Sequence, residues 1–179
     1  MTGVQTCALP IFLLLAWAAC TTTGVIAAEY DDGVIATILF LGVLVWCFGR
    51  IVFVIGPPLF NRSTKDDGNV TYGDLLISII VWMLSVGNAM FVTWLWDREN
   101  SYSTIADASV SMAWIRLTNS AILLSCGIGQ GLAVAQSLLA ETVVAYLSSI
   151  TIIFIGVYLY GGMMIYREAS QQKDERDSK

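Results

Sequence analysis

The sequence contains no histidine and only nine Lys and Arg among its 179 residues. The first absence removes His-ligated haem, most zinc and copper sites, and imidazole acid–base chemistry. The second removes nucleic acid as a partner, because a phosphate-binding surface needs clustered cations, and here they are scattered along a chain of net charge -5. Charged residues make up 13% of the chain, against roughly a quarter in an ordinary soluble domain. That is too little charge to cover a water-facing surface. There is no C-x-x-C pair, which argues against a redox dithiol or a zinc knuckle. Nor is there a G-x-x-x-x-G-K-[ST] loop, a G-x-S-x-G elbow or an H-E-x-x-H helix. No Lys lies in an apolar run, so a retinal-type Schiff base has no amine to form on. The chain is therefore read as a non-enzyme, with no catalytic, cofactor-binding or metal-ligating residues.

What is present is hydrophobicity, 56% of all residues, gathered into long runs. A helix needs about 20 apolar residues to span roughly 30 Å of hydrocarbon, and lipid leaves no unpaired backbone group a partner. The fold class that follows is all-α, an integral membrane helical bundle with four or five transmembrane helices. The bundle proper is expected over 29–166, with helices at about 34–56, 74–96, 112–136 and 142–166. The second run ends at Pro57-Pro58, which lack the N–H groups a helix requires. A polar tail, 167–179, either frays or lengthens the last helix into water.

The first residues, MTGVQTCALPI, follow no chemical pattern of their own. From Thr2 to Ile11 they resemble, residue for residue, the read-through translation of a common short-read sequencing-library adapter. The resemblance covers only this tip. It implies that residues 1–11 are an artefact, that Met1 is not the biological start and that the natural N-terminus is missing, so Cys7 and Pro10 carry no meaning for the fold. Residues 12–179 carry no family motif of their own.

The run from Phe12 to Ala28 then reads in two ways: as a transmembrane helix that has lost its start, or as the core of a signal peptide, with Val25 and Ala27 at the small-residue positions before a cleavage site. Cys20, Cys47 and Cys126 each lie inside a different run and read as small buried hydrophobes. Two N-x-[ST] sequons, at Asn61 and Asn69, fall in the longest loop and matter only if that loop faces a glycosylating compartment. Five crossings would put Arg98, Arg167, Lys173, Arg176 and Lys179 on one side against Arg62 and Lys65 on the other. By the positive-inside rule the tail is then cytoplasmic; a signal peptide would reverse this.

Polar residues inside apolar runs are the candidate functional residues, because intramembrane charge and amide groups are costly. Arg116 heads the fourth run and reads either as a buried functional arginine or as a cation that snorkels to the interface beside Trp114. At about 100° per residue, Asn119, Ser120, Gly127 and Gln130 fall within about 60° of Arg116 on one helical face. The third run offers Ser85 and Asn88, and Asn88 and Asn119 are the expected interhelical partners. This stripe is either polar glue, about 0.6 to 2 kcal/mol per hydrogen bond, or the lining of a path. Gly127 and Gly131 have the spacing of a helix-packing pair, or mark a break in the helix. Arg50, Trp94, Trp96 and Trp114 are expected to be interface anchors. Glu141 opens the last helix, where the helix dipole favours a carboxylate.

Two functions fit. One is a small transport or channel component, oligomeric, with a polar interhelical path. The other is an accessory or scaffold subunit of a larger membrane complex. The partners expected are the lipid bilayer and either further copies of the chain or a larger complex.

Overall fold

A computed structural model describes residues 5–55, 72–129, 131 and 133–177. The Pro57-Pro58 stop, the sequons at Asn61 and Asn69, Arg62, Lys65 and Gln130 lie outside the described residues. Helix α1 runs Gln5–Glu29 and α2 Gly33–Gly49, continued by a π-helical segment, Arg50–Ile55. Then follow α3, Tyr72–Trp96, α4, Val110–Ser125, and α5, Leu138–Asp177. The fold is an all-α bundle, and four of these helices contain stretches long and apolar enough to cross a bilayer: Ile11–Glu29, Gly33–Val52, Leu76–Trp96 and Leu138–Met163.

The hairpin of α1 and α2 turns at Asp31, whose φ of 63° puts it in the left-handed region that short polar side chains tolerate. The next residue, Asp32, caps α2 by accepting from the Ile35 N–H at 3.2 Å, which satisfies one of the orphan donors of a helix start. The helices then lie close because Gly24 has no side chain: a Cβ there would meet the Phe40 ring at 2.9 Å. The Phe12–Ala28 run is thus a member of the bundle, with Leu13, Trp17, Thr21 and Ala28 buried.

Helix α3 is the hub, touching each of the other four helices. Its face toward α2 carries Phe91, set edge-on to Phe40 at 5.3 Å, an arrangement that suits the ring quadrupoles. Its face toward α5 carries Trp82, 4.9 Å from Phe154, whose indole N–H donates to the Thr151 hydroxyl at 3.0 Å. The outward faces of α1, α2 and α5 are apolar and exposed, for example Phe12, Leu15, Val45, Trp46, Ile152, Ile153 and Leu159. A spanning helix shows lipid such a face.

The fourth helix is where sequence and structure part. Expected over 112–136 as a full crossing, α4 ends at Ser125 after 16 residues. At 1.5 Å per residue it is about 24 Å long, short of the roughly 30 Å hydrocarbon layer. The last helix, expected over 142–166, instead opens at Leu138 and continues through most of the tail to Asp177.

Candidate functional site

Helix α4 stops because Gly127 allows it to. Gly127 has φ 73°, its N–H donates to the Leu124 carbonyl at 3.0 Å, and the Ile128 N–H donates to the Leu123 carbonyl at 2.9 Å. This pair of bonds is the Schellman motif, in which a left-handed residue closes off the last carbonyls of a helix. Gly129 and Gly131, at φ 114° and 62°, keep the chain in conformations that L side chains rarely adopt. The expected helix-packing pair Gly127 and Gly131 is therefore a turn instead. Neither glycine is helical.

After the turn the chain comes back along α4. The Ala133 N–H donates to the Ser120 Oγ at 3.0 Å, so Ser120 is spent on holding the return strand. Ala135 then pairs as an isolated antiparallel bridge with Tyr102; the Ser103 N–H donates to the Val134 carbonyl at 3.1 Å and the Gln136 N–H to the Ser101 carbonyl at 2.9 Å. Ser137 caps α5 through a bond from the Ala140 N–H at 3.1 Å. The described residues of this stretch thus leave one face of the bundle along a helical limb about 24 Å long and return to the same face along a non-helical limb. The excursion is a re-entrant hairpin, one limb helical and one extended.

Three contacts fix the helical limb. Gly87 of α3 abuts Thr118, where an added Cβ would lie 2.7 Å from the Thr118 Cα. Trp114 donates its indole N–H to Asn88 Oδ1 at 3.0 Å, and Asn88 Nδ2 donates to Thr21 Oγ1 of α1 at 3.1 Å. Arg116 is half-buried and donates from one guanidinium nitrogen to the Thr104 carbonyl at 3.2 Å. Thr104 belongs to the entry-face loop, so Arg116 reaches back toward that interface, as a snorkelling cation does.

Several expected roles are corrected by this geometry. Asn119 does not partner Asn88: it is exposed on the outer side of α4, and Trp114 takes its place. Trp114 is accordingly a cross-link between helices. Trp94 is 0% exposed, covered by the Asp97–Ser109 loop, whose Ile105 carbonyl accepts its indole N–H at 3.1 Å. Trp96 remains at the surface, 62% exposed, bonded to the Thr37 hydroxyl at 2.8 Å. Ser85 donates to the Val81 carbonyl at 2.7 Å and lies 3.5 Å from Cys47 Sγ. Ser85, Asn88 and Ser120 are each buried and hydrogen-bonded within the protein, so they do not join Arg116 and Asn119 in a single continuous path.

The non-helical part of the hairpin is open on its outer side. Gly127, Gly129 and Gly131 are exposed, as are Val134 and Gln136, and Ile128 is 71% exposed. Cys126 at the head of the turn is a free, exposed thiol. Cys47 is buried and Cys20 half-buried, as a small apolar side chain would be. No group of His, Cys, Asp or Glu among the described residues has a metal-holding arrangement. Comparison with protein-family models, curated proteins and solved structures gives no match, so the site is read from its geometry alone.

Proposed function

We propose that this multi-pass membrane protein is a small transport or channel component that works as an oligomer, with the solute path running along the re-entrant hairpin where copies meet. One observation carries the reading. A glycine-broken, non-helical segment runs alongside helices long and apolar enough to span, with its outer side uncovered. Non-helical backbone is tolerated in hydrocarbon only against protein or along a water-filled cavity. A neighbouring copy supplies the first and the path supplies the second. Inside a single copy, the buried polar side chains Ser85, Asn88 and Ser120 are engaged with protein partners.

The charge distribution orients the chain. Glu29, Asp31, Asp32, Asp97, Glu99, Asp107 and Glu141 all fall at the hairpin's entry face, with Arg98 and Arg116 the basic residues there. Arg50, Arg167, Lys173 and Arg176 fall at the opposite ends of their helices. With α4 re-entrant the bundle has four crossings, and the positive-inside rule puts the Arg50 and Arg167 ends in the cytoplasm. The hairpin then opens from the external, acidic side.

The test is thiol chemistry with flux. In reconstituted vesicles, a charged, membrane-impermeant methanethiosulfonate is expected to modify Cys126 and change solute flux, with a Cys126→Ser variant insensitive. A Cys126 that stays unmodified while the protein carries flux would rule the hairpin out as the path.

An accessory subunit of a larger complex is the second reading, favoured by the same closed interior: the uncovered hairpin would then be covered by a different protein. Flux no greater than that of empty vesicles, with function regained only beside a larger partner, would select it.

A further inference from the structure

Helix α4 has two faces. Ala113, Leu117, Thr118, Ser120 and Ala121 are buried against the bundle. The other face carries Met112, Ile115, Asn119 and Ile122, all exposed, and the exposed Cys126 follows at the helix end. Successive members of this set are three, four, three and four residues apart. That alternation, about 3.5 residues on average, is the period of a seam that meets a second helix along its length. Met112, Asn119 and Cys126 form one set of its layers, and Ile115 and Ile122 the other.

Asn119 is out of place against lipid. Its neighbour Thr118 packs on Gly87, and Gly87 lies near the middle of the spanning stretch Leu76–Trp96. An exposed amide is thus held at a level where hydrocarbon offers it no partner. Thr23, Thr142 and Ser149 are also exposed on spanning helices, but each donates to the carbonyl four residues back, which satisfies a hydroxyl within its own helix. The Asn119 side chain bonds to no described residue.

The chemistry of the amide selects what covers it. An asparagine carries both donors and an acceptor, so it complements another asparagine. Copies inserted in one orientation have parallel α4 helices, and equal positions of their seams face each other: Asn119 meets Asn119 and Cys126 meets Cys126.

We propose that the Met112–Ile115–Asn119–Ile122–Cys126 seam is the surface on which two copies of the chain meet, with the paired Asn119 amides fixing the register. A single Asn in an otherwise apolar seam has that effect in parallel helix pairs, and amides hydrogen-bond across helices within membranes. The inference rests on the oligomeric reading above and deepens it by naming the contact. Cys126 carries the seam into the glycine turn, so the same contact brings two hairpins together.

The experiment is copper–phenanthroline oxidation in native membranes, where two thiols join as a disulfide and copper(II) takes the electrons. Wild type is expected to give a cross-linked dimer and Cys126→Ser none. In that serine background, Ile115→Cys and Ile122→Cys on the seam should restore the dimer, and Ile153→Cys, exposed on α5, should not. Asn119→Leu should weaken association of fluorescently labelled copies in lipid vesicles roughly tenfold, and Asn119→Gln, which keeps an amide, should weaken it less. Each copy keeps its fold in both variants, because the amide holds no described residue of its own chain. Copies that associate without seam cross-links, or equally well as Asn119→Leu, would overturn the seam and leave the oligomer standing. Altered flux in Asn119→Leu at unchanged association would give the amide to water and overturn the seam likewise. A wild-type chain that stays monomeric in vesicles would overturn the seam and the oligomeric reading together.

Discussion

Gly87 and Thr118 are in backbone contact: a Cβ at residue 87 would sit 2.7 Å from the Thr118 Cα and 3.0 Å from its hydroxyl oxygen. Both obstacles belong to one rigid patch of α4, and a real side chain cannot occupy that space without moving the helix. The whole hairpin is thus hung on α3 through an absent side chain.

Substituting Gly87 by Ala is therefore expected to destabilise the protein by about 1 to 3 kcal/mol, the cost of overpacking a filled interface. The control is Gly42→Ala in α2, where nothing lies within 4 Å and the higher helix propensity of Ala has no steric cost against it. Thermal unfolding in detergent should show a lower Tm for the first and an equal or higher Tm for the second. Equal behaviour of the two would mean that α4 is not packed on α3 as described.

The second prediction separates buried from surface amides. Asn88 holds Trp114 with one end of its amide and Thr21 with the other, tying α1, α3 and α4 together. Asn88→Leu leaves the half-buried Trp114 indole N–H and the buried Thr21 hydroxyl without their Asn88 partner and is expected to cost about 1 to 3 kcal/mol. Asn119→Leu, on the outer side of α4, is expected to change stability within about 0.5 kcal/mol. Denaturation of the two variants side by side is the measurement, and a reversed order would place Asn119 inside.

That contrast also marks where sequence reasoning reached its limit. Run length placed α3 well, since Asp74 to Trp96 is uncharged between its ends and no glycine cluster breaks it. The fourth run reads past Ser125 because a period of 3.6 residues assumes a helix that has not yet ended. Three glycines at alternate positions, each costing roughly 1 kcal/mol inside a helix, were the available sign of an ending. Their four-residue spacing instead suggested a packing pair. Arg116 is half-buried, Asn119 exposed and Ser120 buried, so the expected common face is split; which side of α4 is buried depends on Gly87 across the interface, which one helix cannot reveal. The place of Trp94 at the end of a run points to the interface. The chain after Trp96 folds back over it, and such a tertiary fold-back has no local pattern.

Orientation gives the third prediction. Four crossings put Glu99 and the tail on opposite sides of the membrane, and the proposed orientation puts the tail in the cytoplasm. A cysteine introduced as Glu99→Cys in a Cys126→Ser background should react with an impermeant maleimide in intact cells. One introduced as Gln171→Cys should react only after permeabilisation. Labelling of both in intact cells would make α4 a full crossing and restore the five-span arrangement.

The last prediction concerns alkaline stability. Tyr102, in the entry-face loop, is 0% exposed. Burial pushes the phenol well above its ordinary value, and the nearby Thr93 hydroxyl, itself donating to the Ala89 carbonyl, offsets this only in part. The neutral phenol is thus the form the fold accepts. Its contribution is complete below the unfolded-state pKa of about 10 and is lost as pH rises above it, because the unfolded chain releases the proton first. Tyr102→Phe keeps the buried ring and removes only the phenol hydroxyl. Wild type should lose Tm between about pH 10 and 12 more steeply than Tyr102→Phe, with the two alike or the variant slightly higher near pH 7. Parallel curves across that window would show that Tyr102 ionises while the loop stays folded, and hence that the return strand does not seal it from water.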